Sequence, residues 1–207
     1  ESLALYGNEG RLIASEPVAV EKENIDVKGQ DWYKNAKSAI ENVHFSIPHI
    51  QNLYEDGLYR YHWVVSLSRY VDINDGEIPG SGVLLVDMKY SVIEDVLKQI
   101  NDSSEGIYYY MISRDGQMIY HPRKTEMARG LFEENSLKAS GYEEGTYEIT
   151  TDGHKESVVV GNIAYTGWKL IGVVPESVQT ARINNLRYYI FTTIMVLMMM
   201  LLEGNRL

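Results

Sequence analysis

The chain of 207 residues contains no cysteine, which removes disulfides, thiol nucleophiles and cysteine-ligated zinc from consideration. Basic residues are in deficit: 19 Lys and Arg stand against 29 Asp and Glu, for a formal charge of −10. So acidic a chain repels a phosphate backbone, and nucleic acid is excluded as a partner. Histidine is sparse and never falls at metal-ligand spacing. His44 and His49 bracket a proline-containing segment, and His121 precedes Pro122 with no second ligand in step. No metal and no other cofactor is expected. No nucleophile elbow, P-loop, HExxH or Rossmann glycine set occurs, and no catalytic residue stands out. A paired-carboxylate glycosidase stays open on sequence alone, because its two acids need no fixed spacing.

What the chain has in excess is tyrosine, 16 against three Phe and three Trp. Tyrosine brings apolar area with a polar tip, which suits a surface that buries a ligand and equally suits the filling of strands. Trp32 and Tyr33 sit side by side in "NIDVKGQDWYKNAKSAI", where a polar loop becomes a helix. Trp32, Ala36, Ile40 and Val43 follow helical spacing, so that face packs on a sheet, and Tyr33, off the stripe, is expected at the rim. The pair also lies beside the unpaired N–H groups at the positive end of the helix. Two readings stand: a ligand wall, or Trp as core with Tyr facing solvent.

A repeated grammar organises the rest. "LALYGNEGRLIAS" reads as strand, turn, strand, and "YYYMISRDGQMIYHP" repeats it, with Gly10 matching Gly116 and Ile13 matching Ile119. Two long strand-like runs follow each copy, so the spacing predicts an α+β chain of two related units on antiparallel sheets. Between them, Ser91 and Glu94 form a capping box, and Ile93, Val96, Leu97 and Ile100 make a one-sided stripe. The polar stretch Asn101 to Gly106 places the boundary: residues 1–102 form the first unit and 103–176 the second. Residues 177–207 are read as a linker helix, a transmembrane helix and the start of a cytoplasmic linker. "YYIFTTIMVLMMMLL", Tyr188 to Leu202, carries no charge, and counted from Ile183 it gives about 30 Å of helix. The alternative is a buried C-terminal helix. With no initiating Met and a strand-like run at its start, the chain is read as N-terminally truncated.

Several polar residues invite a role. Asp87 ends the apolar run "VLLVD", as a ligand contact or a cap. Alternation in "VSLSRYV" sets Val65, Leu67 and Arg69 on one face and Ser66, Ser68 and Tyr70 on the other, and Arg69 either meets an anion or pairs with an acid. Glu133, Glu134, Glu143 and Glu144 read as solvated loop charges.

The order Asp26, Gln30, Trp32, Tyr33, Ala36 resembles the D-x-x-x-R-x-W-Y-x-x-A stretch of double Cache (dCache) sensor domains. "GVLLVDM", "MISRDGQMIYHP" and "TGWKLIGVVP" are similar to later strands of that family, and "HFSIPHIQNLYEDG" with "WVVSLSRYV" resembles the versions in Gram-positive membrane sensor histidine kinases. The resemblance implies two tandem PAS-like units outside the cell, up to about residue 182 by the span reading, with the ligand pocket in the membrane-distal one. It also implies a missing N-terminal helix and first span, a homodimer, a lipid-anchored C-terminal helix and no enzymatic activity in this segment. The output expected is a two-component histidine kinase; a chemoreceptor or cyclic-dinucleotide enzyme is the alternative, with a membrane-anchored surface hydrolase and an adhesion module as readings from other classes. In the amino-acid-binding branch the motif Arg grips the ligand carboxylate, Trp and Tyr wall the pocket and the strand Asp takes the ammonium. Trp32, Tyr33 and Asp87 match, but Gln30 stands at the Arg position, and the family's second tyrosine falls at Pro48-His49. A glutamine has no charged fork for a carboxylate. The resemblance therefore points to a polar small molecule other than a free α-amino acid, such as a neutral or cationic polyol, amine or peptide. Gln30, Trp32, Tyr33, His49, Arg69 and Asp87 are its expected contacts.

Overall fold

The computed structural model describes residues 1–38, 43–55, 61–74, 79–104, 106–151, 154–175, 178, 190–196 and 198. The chain divides into two compact units, Glu1–Asp95 and Val96–Leu207. In the first, β1 (Ser2–Gly7) and β2 (Leu12–Glu16) form a hairpin, followed by α1 (Asp31–Ser38), β3 (His44–Phe45), β4 (His49–Ile50), β5 (Trp63–Asn74) and β6 (Pro79–Lys89). The helix α2 (Tyr90–Asp102) starts directly after β6 and contains the division between the units. Ser91 thus lies one residue inside the helix that it was expected to cap. The second unit holds β7 (Tyr108–Ile112), β8 (Met118–Tyr120), α3 (Lys124–Ala128), α4 (Ser136–Ser140), β9 (Gly145–Thr151), β10 (His154–Ile163) and β11 (Trp168–Pro175).

Both sheets are antiparallel and share one strand order. The first runs β2-β1-β6-β5-β3, with β4 also on β5, and the second runs β8-β7-β11-β10-β9. The repeat read from the hairpins extends to their irregularities. Gly10 and Gly116 both take positive φ, 76° and 85°. The ladder slips between Leu5 and Tyr6 in the first hairpin and between Met111 and Ile112, the matching pair, in the second. A bulge fixes which side chains face the core, so its conservation between the copies keeps their inward faces in step.

In the first unit the inward face gathers Ala4, Tyr6, Val83 and Leu85 from the sheet with Trp32, Tyr33 and Ala36 from α1 and Val27, Leu53 and Tyr54 from the loops. The cross-strand register sets Ser2 beside Asp87, and Asp87 beside Ser66, on this same face. Ser68, further along β5, donates to the Trp32 carbonyl at 2.9 Å and ties α1 to the sheet inside the core.

The second core packs Tyr110, Ile112, Val158, Val160, Ile171 and Val173 beneath Ala139 of α4. On the other face Tyr109 lies over Gly172, and a Cβ there would come within 2.7 Å of the ring. Asn101 holds that strand in place. Its amide donates to the Leu97 and Tyr109 carbonyls, at 2.8 and 3.0 Å, and its oxygen accepts from Tyr109 N–H at 2.8 Å. Glu134, expected as a solvated charge, is instead largely covered and accepts from the Tyr108 phenol at 2.9 Å.

Most of the segment read as transmembrane lies outside the described residues. Its helical part, 190–196, sets the Phe191 ring against Gly161 of β10 and buries Ile194. Among the described residues, no helix is long and apolar enough to cross a membrane. The Asp152-Gly153 turn and the helical positions Ile40 to Asn42 also lie outside them.

Two of the positive-φ glycines of the second unit, Gly116 and Gly130, give a graded test of this packing. A Cβ on Gly116 meets backbone atoms of Leu137 and Ser136 at 3.2 Å, whereas one on Gly130 meets nothing within 4 Å. Gly130→Ala should cost the left-handed strain of about 1–2 kcal/mol, and Gly116→Ala more, because the backbone it strikes must also move. Urea unfolding of both variants checks the order; equal losses would contradict it.

Candidate functional site

The site is built around a buried carboxylate. Asp87 stands near the end of β6 with 3% of its surface exposed. Ser66 of β5, its cross-strand partner, gives its only proton to Asp87 Oδ1 at 2.5 Å. Ser66 Oγ therefore accepts from His49 Nε2 at 3.3 Å. The other ring nitrogen, Nδ1, lies 3.2 Å from Ser46 Oγ and 3.0 Å from the Ile47 carbonyl. A chain His49–Ser66–Asp87 thus crosses three strands, and each step rests on cross-strand pairing of β4, β5 and β6. Burial raises the Asp87 pKa above the usual carboxylate value, opposed by the Ser66 hydrogen bond and by His49. His, Ser and Asp are the residue types of a hydrolytic triad, but their roles here differ. The Ser66 hydroxyl is buried and points its proton at the acid, so it is not a nucleophile poised on a base.

Around Asp87 lies a wall of aromatic rings. Trp32 packs on Tyr6 with centroids 5.2 Å apart, and Tyr33 meets Trp32 edge-on at 5.6 Å. The Tyr6 and Tyr54 phenols are 3.0 Å apart. Burial raises both their pKa values, and the charge of Glu21 adds to each, with that of Asp87 adding to Tyr54. Glu21 reaches this cluster because residue 21 bridges to Tyr54, with Lys22 N–H bonded to the Leu53 carbonyl and Glu55 N–H to that of Val20. The Glu21 Oε1 atom is buried without a hydrogen-bond partner. Carboxylates, phenols and an indole thus converge on one face of the first sheet, a combination suited to a small molecule with hydrogen-bond donors or a positive charge.

The six residues proposed from sequence separate into groups. Trp32, His49 and Asp87 belong to this region. Tyr33 is not at the rim: it is only 3% exposed, because its phenol shares its proton between the Gly7 and Asn8 carbonyls, both at 2.9 Å, which lets the ring sink into the core. Gln30 precedes α1 and turns its amide back to the Asp26 carbonyl at 3.4 Å. Arg69 is exposed on the opposite face of β5 and is not brought to Asp87. Tyr6, Glu21, Tyr54 and Ser66 were missed. Alternation in "LALYG" places Tyr6 inward with Ala4, and the face Ser66–Ser68–Tyr70, which looks like the solvent side, is the one that meets Asp87 and Trp32. Glu21 had no sequence signal.

Residues 1–183 match the dCache_1 family model, described as a Cache domain, and the chain belongs to that family. Among curated proteins it is similar to the methyl-accepting chemotaxis protein McpA of Bacillus subtilis (strain 168), 25% identical over 148 residues. That match covers 70% of this chain and 20% of McpA, so the chain spans only a small part of its relative's length. The structure resembles the ligand-binding domain of the Pseudomonas fluorescens chemoreceptor CtaA in complex with L-alanine. Its TM-score is 0.59 and its identity 19%, over 87% of this chain and 74% of that one. It also resembles the ligand-binding domain of the Pseudomonas aeruginosa PAO1 amino acid chemoreceptor PctC in complex with GABA. There the TM-score is 0.59 and the identity 18%, over 84% and 73% of the two chains. At such identities the structural likeness establishes the fold. These relatives are chemotaxis proteins, and the expected likeness to sensor histidine kinases is not supported by them.

The Asp87 environment has a measurable consequence. A carboxyl with a raised pKa in the native state binds its proton more tightly folded than unfolded, so its contribution to stability is full below the ordinary aspartate value of about 4 and is lost as pH rises through the raised one. Asp87→Asn should remove that loss. Across this window the melting temperature of the wild type should fall relative to the variant; parallel curves would contradict the assignment.

Proposed function

We propose that the chain is the extracellular sensing module of a membrane-anchored chemoreceptor and that its first unit binds a small polar molecule. The observation that carries this reading is Asp87, a carboxylate buried beside Trp32, Tyr6 and Tyr54 on the inward face of a Cache sheet. Chemotaxis relatives favour a chemoreceptor output over a histidine kinase. No enzymatic role is proposed for this segment.

The ligand is a neutral or cationic polyol, amine or peptide. Asp87 and Glu21 accept its donors or positive charge, and Trp32 supplies a face for it. A free α-amino acid would bring a carboxylate next to two others. Gln30 cannot supply the missing cation, and Arg69 lies on the far face. Because α2 begins directly after β6, a shift of Asp87 on binding enters that helix within one turn of chain. Passed through the second unit to the residues beyond Pro175, a displacement of about 1–2 Å is of the size used in receptor signalling. Anchorage through Ile183 to Leu202 would exchange the contact of Phe191 with Gly161 for lipid, and the receptor would act as a homodimer.

A thermal-shift panel tests the binding reading. Amines, polyols or short peptides should raise the melting temperature of the full chain, Asp87→Ala should abolish the shift, and Arg69→Ala should preserve it. Strong stabilisation by ordinary α-amino acids alone would overturn the ligand class, and a shift that survives Asp87→Ala would overturn the site. Because the chain has no cysteine, topology can be read cleanly by single-cysteine labelling in intact cells. Ser103→Cys should react with an impermeant maleimide from outside, and Asn205→Cys only after permeabilisation; equal labelling of both would contradict a membrane span between them.

A further inference from the structure

The second unit contains a set of donors that converge on one carboxylate of its own chain. Tyr108 on β7 donates its phenol proton to Glu134 Oε2 at 2.9 Å. His121, just past β8, is fully buried at its side chain, and its Nδ1 accepts the Arg123 N–H at 3.0 Å. A neutral ring so held carries its proton on Nε2. Nε2 lies 3.4 Å from Glu134 Oε2 without a hydrogen bond of good geometry and has no other partner. Tyr110, two residues along β7 from Tyr108, feels the same carboxylate, and burial and the charge of Glu134 raise the pKa of both phenols. The rings close around it: His121 lies 5.6 Å from Tyr108, 5.4 Å from Tyr110 and 5.3 Å from Phe132.

Glu134 is the more accessible member of this cradle. It sits on the segment between α3 and α4 and keeps 15% of its side chain exposed, whereas His121 at the floor keeps none. The hairpin repeat shows that the cradle is particular to this unit. Matching Gly10 with Gly116 puts Ser2 and Ala4 where the second unit has Tyr108 and Tyr110.

We propose that Tyr108, Tyr110 and His121 form a carboxylate-binding site that Glu134 occupies as an internal ligand, and that a small free monocarboxylate replaces it when this segment lifts. Convergent phenol and imidazole donors in a water-poor cradle are the groups that recognise a carboxylate. The donors stay oriented in its absence because Tyr108 and Tyr110 are on a strand paired on both sides and His121 is fixed by the Arg123 N–H. This site is separate from the one around Asp87 and does not depend on the function proposed for it.

Chemical rescue tests the idea, with acetate as the probe on the purified full chain in detergent. Glu134→Ala should lower the melting temperature by about 3–6 °C. Sodium acetate should then restore it saturably, while sodium chloride at equal concentration should not, and wild type should respond little. Adding Tyr108→Phe to Glu134→Ala should weaken the acetate response by about tenfold in apparent affinity. Absence of an acetate response, an equal response to chloride, or a response indifferent to Tyr108→Phe would each overturn the proposal. If Glu134→Ala does not fold in chloride, refolding from urea with acetate present gives the same test: recovery supports the site, and failure in both salts counts against it.

Discussion

A carboxylate removed from water needs hydrogen-bond donors or a countercharge, and the first unit answers that need for Asp87 with serine hydroxyls and a nearby histidine. The Ser66 hydroxyl gives it one strong hydrogen bond and His49 supports the serine, but no lysine or arginine reaches it among the interactions described. Glu21 adds a second acid whose Oε1 is unpartnered. Burying such charge costs stability, so its placement on the inward face of the sheet is the feature around which the functional reading turns. A ligand with donors or positive charge would offset that cost in the bound state alone, and that is how a binding event gains leverage over a conformation.

The two units apply one topology to opposite ends. In the first, the β1 positions facing the core beside Asp87 are the small residues Ser2 and Ala4, and among the described residues no lysine or arginine is paired with the acids there. In the second, the matching positions are Tyr108 and Tyr110, and their phenols meet an acid supplied by the chain itself. Substituting two tyrosines for a serine and an alanine puts phenols where the first unit has short side chains. The shared bulges keep these positions equivalent, so the comparison is of side chains and not of register.

Much of this organisation was legible in the sequence because hairpin chemistry is local. Gly10 and Gly116 mark turns that only a glycine adopts easily, and the apolar runs after them become the central strands. The Trp32 stripe also predicts its packing face. What the sequence hid was long-range. Tyr33 looked like a rim residue because helical spacing says nothing of two carbonyls waiting at the β1–β2 turn. Arg69 looked like a pocket residue because alternation names two faces without saying which is covered, and the polar face proved to be the inward one. Glu134 looked solvated for the same reason, since its partners lie on a strand far back in the chain.

The chain carries three tryptophans in three settings: Trp32 in the wall beside Asp87, Trp63 half-exposed on β5, and Trp168 buried at the start of β11. Their indole N–H resonances, followed by nuclear magnetic resonance during titration with a molecule that stabilises the protein, report directly on where it binds. The account predicts that the Trp32 signal moves in a saturable way while that of Trp168 stays fixed. A ligand that shifts Trp168 and leaves Trp32 untouched would contradict it.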